Sequence, residues 1–403
     1  MIVGEIDKTI QGYIDNQEIS GGALLVRRGE ELIYEHYWGW ADVVAHKPIE
    51  ENSIYRMMSM TKPVTAVAVM QQVEQGKIGL DDPVSRWLPA FQSLRIVSDK
   101  RYEWHEGMNM LFLLPKLLFF HADRVKTVPA EREITIRDLL SHSSGLQQGI
   151  AGLLAYKKDT ATKENLASEC EKYSRLFLDF QPGLGTGYSP LAGFDVLGRI
   201  VELSSGEALD NYMKTHIFEP LDMRDTAFRL SEEQKNRLVH AYKRKKGRLT
   251  DVTGTKDDMD SMLHRGPGYV AASGGLFSTV GDYEHFARML LDGGSWNGNW
   301  LLRQETVTQM STEGALTHLE TEPGFVWGLG VKIRQDPQKG GSPCTAGTFG
   351  WSGAFGTHFF VSPADHLEAV WCTNRTDLEG SGSYISKKIE ELVFSCLAGG
   401  AGA

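Results

Sequence analysis

The chain has 403 residues, of which 41% are hydrophobic and 23% are charged. This balance is typical of a globular protein, and the length favours two domains, or one with a large insertion, over a single compact core. The net charge of −10 makes nucleic acid an unexpected partner, because phosphate binding requires clustered lysine and arginine side chains.

An amphipathic helix is predicted over residues 2–16, and its acidic residues distinguish it from the apolar segment of a signal peptide. The next segment, residues 21–39, alternates around an Arg-Gly-Glu turn and predicts a β-hairpin. A further helix is predicted over residues 59–75. Because a helix tolerates proline only in its first turn, Pro63 requires this helix to begin close to Ser59.

The middle of the chain, from about residue 94 to 265, is predicted to be mostly helical. Within it, ITIRDLLSHSSGL predicts a short helix running into a turn. Ser189 and Pro190 predict the cap and first residue of a helix that continues to Leu203. From Gly268 onward, glycine-rich turns separate strand-like segments, and a last helix is predicted over residues 383–397.

Strands and helices at both ends therefore flank a helical middle. We expect an α/β fold of the α+β type, in which a mainly antiparallel sheet is flanked by the N- and C-terminal helices. Residues 1–94 and 266–403 are predicted to form this discontinuous domain. Residues 95–265 are predicted to form an inserted all-helical domain, with the active site at the interface.

The sequence indicates neither a membrane protein nor a metalloprotein. It has no run of about 18 apolar residues, so no membrane span is expected. The cysteines are scattered without a CxxC pair, which disfavours a metal site and a disulfide framework. We expect a cytoplasmic protein with reduced thiols and no cofactor. The four cysteines are Cys170, Cys344, Cys372 and Cys396.

The segment Ser-Met-Thr-Lys at 59–62 places Ser59 and Lys62 on one face of a helix. A serine hydroxyl needs a neighbouring base to become a nucleophile. A lysine can serve if burial or a nearby cation lowers its pKa from about 10.4. A chain of this length shows about one such motif by chance. On the motif alone, a capping serine beside a surface lysine is therefore the favoured interpretation.

Further segments change that interpretation. They are IYRMMSMTKPVTAVAVMQQVEQGKIGLDDPVSRWLP, ITIRDLLSHSSGL, YSPLAGFDVLGRIVE, IFEPLDMRDTAF, AASGGLFSTVGDYEHFARMLLDGG and FGWSGAFGTHFFVSP. In this order they resemble the class C β-lactamase superfamily of penicillin-binding serine hydrolases. Within it, the chain is most similar to the family VIII carboxylesterases and related acyltransferases. The resemblance covers nearly the whole chain and implies a β-lactamase/transpeptidase-like fold.

The resemblance implies that Ser59 is the acylated serine and Lys62 its partner. The family's Tyr-x-Asn motif matches Tyr188-Ser189-Pro190. Tyr188 keeps the phenol that relays protons between the serine and the leaving group. Pro190 replaces the asparagine that contacts the substrate's amide side chain in the lactamases.

The family's Lys-Thr-Gly motif matches Trp351-Ser352-Gly353, which is implied to line the substrate site. The glycine is kept, and Trp351 replaces the lysine, as is typical of the esterase branch. The backbone N–H groups of Ser59 and Ala354 are implied to form the oxyanion hole.

Structural interpretations of these residues remain open. Tyr188 could be an ordinary loop aromatic, and Trp351 could serve only in packing. For His142, in the SHSSG segment, a structural turn residue is favoured over a catalytic base, because Lys62 and Tyr188 already fill that role. The GxSxG and HExxH motifs of α/β-hydrolases and zinc hydrolases are absent.

These observations predict a serine hydrolase that cleaves carboxylic esters through an acyl-enzyme, with weak β-lactamase activity. An acyltransferase, or an enzyme of the β-lactamase or D-aminopeptidase kind, is the alternative. A homologue that only binds its ligand is disfavoured, because Ser59, Lys62 and Tyr188 occur together. The expected partner is a small ester or β-lactam-like molecule, and homo-oligomerisation is left open.

The insert MNMLFLLPKLLFF, residues 108–120, is too short and too interrupted to span a membrane. A helix pair packed inside the helical domain is the favoured interpretation. The alternative is a hydrophobic lid or dimer contact near the acyl pocket.

Overall fold

The computed structural model describes residues 3–102, 119–147, 149–158, 164–264, 266, 268–312, 319–380 and 383–396. Within these ranges the helices are α1 (Val3–Asp15), α2 (Thr61–Glu74), α3 (Ile136–Leu140), α4 (Ile150–Lys158), α5 (Leu166–Tyr173), α6 (Ala192–Ser205), α7 (Leu209–Met213), α8 (Glu232–Lys235), α9 (Asp260–Leu263), α10 (Val280–Leu291), α11 (Gln304–Thr312), α12 (Pro337–Gly340) and α13 (Tyr384–Cys396).

The strands are β1 (Gly21–Arg28), β2 (Glu31–Asp42), β3 (Lys47–Pro48), β4 (Tyr55–Arg56), β5 (Arg95–Val97), β6 (Thr127–Pro129), β7 (Tyr242–Lys245), β8 (Arg248–Asp251), β9 (Phe277–Ser278), β10 (Ser295–Trp296), β11 (Asn299–Trp300), β12 (Phe325–Trp327), β13 (Lys332–Arg334), β14 (Phe349–Ser352), β15 (His358–Ser362) and β16 (Leu367–Cys372).

One eight-stranded antiparallel sheet joins the two ends of the chain. Its order is β12-β13-β14-β15-β16-β1-β2-β3, so the first strand of the chain lies beside the last. The pairing of β1 with β16 runs from Ala23 opposite Cys372 to Arg28 opposite Leu367. The predicted fold class, an antiparallel sheet built from both termini, is confirmed. The division into two domains stays a prediction.

Helices cover both faces of the sheet, so successive side chains of a central strand pack into two different apolar clusters. In β16, Leu367, Ala369 and Trp371 belong to the apolar cluster that includes side chains of α1 and α13. Val370 and Cys372 point the other way, into the larger core that includes side chains of α2 and α10. Successive side chains of a strand point to opposite faces, so a strand covered on both faces carries apolar side chains on both, with the buried Glu368 as the exception in β16.

Two predictions for the middle of the chain need correction. Helix α6 begins at Ala192, not at Pro190, because the Pro190 carbonyl accepts a hydrogen bond from Lys62 and the backbone turns to reach it. Ser189 still accepts a hydrogen bond from the Gly193 N–H through its hydroxyl. Two short hairpins, β5–β6 and β7–β8, lie within the segment for which helices alone were predicted.

Most of the apolar insert 108–120 lies outside the described residues. Of its two described residues, Phe119 is exposed. Phe120 is buried in a small cluster with Val125, Ile150 and Leu154. The choice between a packed helix pair and a lid stays a prediction.

Candidate active site

Ser59 lies in a tight 3₁₀ turn, Met58–Met60, that leads directly into α2. The residue before it, Met58, has φ of +50°, a left-handed conformation that costs free energy for a residue with a side chain. The Thr61 hydroxyl donates to the Met58 carbonyl at 2.7 Å and so holds the turn. Ser59 is therefore presented, half-buried, at the positive end of the α2 dipole.

Lys62 is almost completely buried, at 1% exposure, and points back at Ser59. Its Nζ lies 3.3 Å from Ser59 Oγ and 2.8 Å from each of the carbonyl oxygens of Pro190 and Ser273. The two carbonyl oxygens thus fix the position of Nζ, and Ser59 Oγ lies within its hydrogen-bonding reach.

Tyr188 also contacts Ser59, and its hydroxyl lies 2.6 Å from Ser59 Oγ. Its ring packs against the rings of Trp327 and Trp351, with centroids 6.0 Å and 5.2 Å away. The Lys62 ammonium lies 4.9 Å from the centroid of the same ring. Packing on this scale fixes the phenol, so its short contact with the serine is positioned by the fold.

His142 supports the tyrosine loop from behind. Its Nδ1 accepts a hydrogen bond from the Ser189 N–H at 3.2 Å, and its ring centroid lies 4.9 Å from that of Tyr188. Burial, followed by the charge of Lys62, holds the pKa of His142 well below its ordinary value. A neutral ring whose Nδ1 accepts from the backbone agrees with the structural role predicted for this residue.

Strand β14 brings the third motif to the serine. The Gly353 N–H donates to the Thr357 carbonyl at 2.8 Å, and the Thr357 hydroxyl donates to the Met57 carbonyl at 3.1 Å. A Cβ added at Gly353 would stand 2.3 Å from the Met57 carbonyl oxygen, so only glycine permits this approach. The backbones that carry the Ser59 and Ala354 N–H groups are thus locked together.

A cavity of about 460 Å³ opens in front of Ser59. Trp327, Lys332 and Glu322 contribute to its walls. Pro190 and Gly353 are not among its described lining residues, and Lys62 is buried behind the serine. The predicted site residues that line it are Ser59, Tyr188, Trp351, Ser352 and Ala354.

Sequence reasoning missed the group that anchors the lysine. Ser273 supplies a carbonyl to Lys62, and its N–H donates to the carboxylate of Asp195 at 3.0 Å. Asp195 is fully buried and also accepts from the hydroxyls of Tyr173 and Tyr269. Asp195 lies inside α6 and Ser273 in a glycine-rich loop, so no local pattern in the sequence links either residue to Lys62.

The described residues hold no group of three or more metal-ligating side chains, and no described helix has the length and apolar character needed to cross a membrane. Two side chains, Lys62 and Tyr188, contact the Ser59 oxygen at the wall of the cavity. A serine with such neighbours is suited to acyl transfer.

Fold and site together define the class of penicillin-recognising serine hydrolases. The family described as Beta-lactamase matches residues 6–393, and the chain belongs to this family. Its fold and its membership in the serine hydrolases agree with the sequence analysis.

Two relatives and one solved structure are similar to this chain over most of its length. Protein Rv1367c of Mycobacterium tuberculosis is 30% identical over 376 residues, covering 89% of this chain and 86% of the relative. Esterase EstB of Burkholderia gladioli is 27% identical over 423 residues, covering 98% and 95%. The structure of EstCE1, a hydrolase with promiscuous acyltransferase activity, aligns with a TM-score of 0.76 at 24% identity and covers 98% of both chains.

Proposed function

We propose that this protein is a carboxylesterase that forms an acyl-enzyme on Ser59. The observation that carries the proposal is the contact of Ser59 Oγ with Tyr188 at 2.6 Å and with Lys62 at 3.3 Å, at the wall of a cavity. The name of the Burkholderia gladioli relative, an esterase, supports the same activity.

In the proposed reaction, Lys62 acts as the base that takes the proton of Ser59, whose oxygen attacks the ester carbonyl. The oxyanion is held by the N–H groups of Ser59 and Ala354. Tyr188 gives its proton to the departing alcohol and regains one from Lys62. Water then enters, loses a proton to the same pair, and releases the carboxylic acid from the serine.

The proposed preference for uncharged esters follows from the cavity wall. Trp351 offers an apolar face where the lactamases carry a lysine. Lys332, a cation in the same wall, lies 2.7 Å from the carboxylate of Glu322, which compensates its charge. A β-lactam carboxylate therefore loses roughly 1–2 kcal/mol of anchoring, while an uncharged ester loses none.

Acyl transfer to an alcohol is the second candidate. It uses the same acyl-enzyme and differs only in whether water or an alcohol accepts the acyl group. EstCE1, which shares the fold, is a hydrolase with promiscuous acyltransferase activity, and this favours keeping the second candidate. A weak reaction with β-lactams is also proposed, since the acylation machinery does not use the lysine and asparagine side chains that Trp351 and Pro190 replace.

A cytoplasmic location is part of the proposal. Cys170, Cys344 and Cys372 are free thiols, and all three are buried. Reduced thiols are usual in the cytoplasm. A small ester remains the proposed partner, and association between copies of the chain stays a prediction.

A panel of p-nitrophenyl esters, nitrocefin and D-amino-acid peptides tests the proposal on the wild type and on Ser59→Ala. We expect the highest kcat/KM for p-nitrophenyl butyrate, and a loss on the order of 10⁶ in turnover in the variant. Substantial esterase activity in Ser59→Ala would rule out the assigned nucleophile. A kcat/KM for nitrocefin equal to that for the butyrate would contradict the proposed esterase activity and favour a lactamase.

A further inference from the structure

Three side chains form a hydrogen-bonded series that begins in the wall of the cleft and ends on α13. Ser352 Oγ lies 2.7 Å from His358 Nδ1, and His358 Nε2 lies 3.0 Å from Glu390 Oε1. Ser352 and His358 are both buried. The mechanism proposed above uses neither His358 nor Glu390, so it does not explain why these side chains are linked to Ser352.

Ser352 stands where two cavities meet. Besides the cavity in front of Ser59, a second one of about 480 Å³ extends toward α13. Both cavities are lined by Trp351, Ser352, Lys332 and Glu322. A substrate group that extends from Ser59 along β14 therefore meets Ser352 at this junction, and the direction of the Ser352 hydroxyl decides what it can bind.

The carboxyl group of Glu390 is ionised in this arrangement. Burial alone would raise its pKa, but the hydrogen bond and the charge interaction with His358, followed by the positive charge of Arg334, outweigh burial and bring the pKa below its ordinary value. Arg334 Nη2 lies 3.9 Å from Glu390 Oε2, on the side of the carboxylate away from the histidine. The carboxylate thus has a permanent counter-charge that does not depend on His358.

An ionised carboxylate can only accept hydrogen bonds, so His358 must carry a proton on Nε2. A ring that carries only this proton has Nδ1 as an acceptor for the one hydrogen of the Ser352 hydroxyl. Ser352 Oγ then presents only lone pairs to the cleft, so it can accept a hydrogen bond there but cannot donate one.

We propose that His358 carries a single proton, on Nε2, and that His358 and Glu390 are positioning residues that fix Ser352 as a hydrogen-bond acceptor. The enzyme then selects esters that carry a donor, such as an ammonium, hydroxyl or amide N–H group, over esters that carry a carboxylate. This inference rests on the proposed esterase function and names its substrate class. It also gives a second reason, independent of Trp351, for poor binding of anionic substrates.

Three p-nitrophenyl esters with one leaving group test this selection: the hexanoate, the ω-aminohexanoate and the hydrogen adipate. Their chain ends are a methyl group, a donor-only ammonium group and an acceptor-only carboxylate. For the wild type we expect kcat/KM to fall in the order ammonium, methyl, carboxylate. The differences should lie in KM, because the chemistry at Ser59 is common to all three. A wild type that prefers the carboxylate would overturn the inference.

The substitution Glu390→Gln should reverse the donor and acceptor roles of the proposed hydrogen-bonded series. Arg334 requires an acceptor, so the amide oxygen turns toward it and the amide NH₂ faces His358 Nε2. The histidine then carries its proton on Nδ1, donates to Ser352, and leaves the Ser352 hydrogen free for the cleft. We expect the ratio of kcat/KM for the carboxylate ester over the ammonium ester to rise about tenfold or more.

Glu391→Gln is the matched control, because it removes the same charge. Glu391 is the next residue of α13 and lines the same second cavity. Its side chain pairs with Lys388 and takes no part in the series. The ratio should stay at the wild-type value in this variant. An equal change in both variants would mean that the effect is long-range electrostatics and that the inference is wrong.

Ser352→Ala decides the matter if Glu390→Gln fails to fold, as judged by its melting temperature. Removing the hydroxyl should shrink the difference between the ammonium and carboxylate esters, and an unchanged difference would refute the inference. A wild type that hydrolyses none of the esters would instead refute the proposed function. Hydrolysis that depends on Ser59 with an unchanged ratio in Glu390→Gln would refute this inference alone.

Discussion

Tyr188→Phe removes one oxygen atom from the site and leaves its packing in place. The phenol hydroxyl lies 2.6 Å from Ser59 Oγ. The ring itself contacts Trp327, Trp351 and the Lys62 ammonium, and a phenylalanine ring keeps all of these contacts. The substitution therefore separates proton transfer from structure.

The expected loss follows from the role assigned to the hydroxyl. A positioned acid or base contributes about 10²–10⁴ in rate, which corresponds to about 3 to 5 kcal/mol of transition-state stabilisation. In stability the variant loses a single hydrogen bond, worth about 1 kcal/mol. For a chain of this size that lowers the melting temperature by about 2–4 °C.

The assay is the steady-state hydrolysis of p-nitrophenyl butyrate, with the melting temperature measured on the same samples. Tyr242→Phe is the control, because the Tyr242 hydroxyl accepts a hydrogen bond from the Val43 N–H, and neither residue is among those described as lining the cavity in front of Ser59. We expect kcat to fall by at least about 10² in Tyr188→Phe and to stay within about twofold in the control. A fall of less than about tenfold in Tyr188→Phe would refute the role of the hydroxyl as a proton donor.

Two further substitutions test the scaffold around the site. In Gly353→Ala, the added Cβ would meet the Met57 carbonyl oxygen at 2.3 Å, so the two proposed oxyanion donors separate. We expect kcat to fall by about 10² or more, and wild-type kinetics would contradict this placement. For Glu368→Gln we expect a change in stability. Burial and the adjacent Glu284 raise the pKa of the Glu368 carboxyl well above its ordinary value. A raised pKa means that stability is complete below the unfolded value of about 4.3 and is lost as pH rises toward the folded pKa. The melting temperature of the glutamine variant should therefore rise relative to that of the wild type between about pH 5 and pH 8. A difference in melting temperature that does not grow with pH would contradict the account.

Local sequence patterns were sufficient for the elements that build the sheet. The alternation of residues 21–39 predicted the β1–β2 hairpin, and Pro63 placed the start of α2 close to Ser59, where the structure has it. The start of α6 was predicted two residues too early. A cap followed by proline is a local signal, whereas the Pro190 carbonyl is held by Lys62, a contact across 128 residues of chain that no local rule contains.

The site could be predicted in part for the same reason. Ser59 and Lys62 share one turn of helix, so their spacing alone brings them together, and the resemblance to the family supplied Tyr188 and β14. Asp195 and His358 could not be found this way. Each acts through long-range hydrogen bonds, and an aspartate inside a helix or a histidine in a strand carries no mark in the sequence of the partner it will meet.

The covalent intermediate tests the central claim most directly. Intact-protein mass spectrometry after treatment with a fluorophosphonate, followed by peptide mapping, identifies the serine that is modified. We expect a single adduct on the peptide that contains Ser59, with none in Ser59→Ala. An unmodified wild type, or an adduct that persists on another serine in Ser59→Ala, would contradict the assignment of Ser59 as the nucleophile.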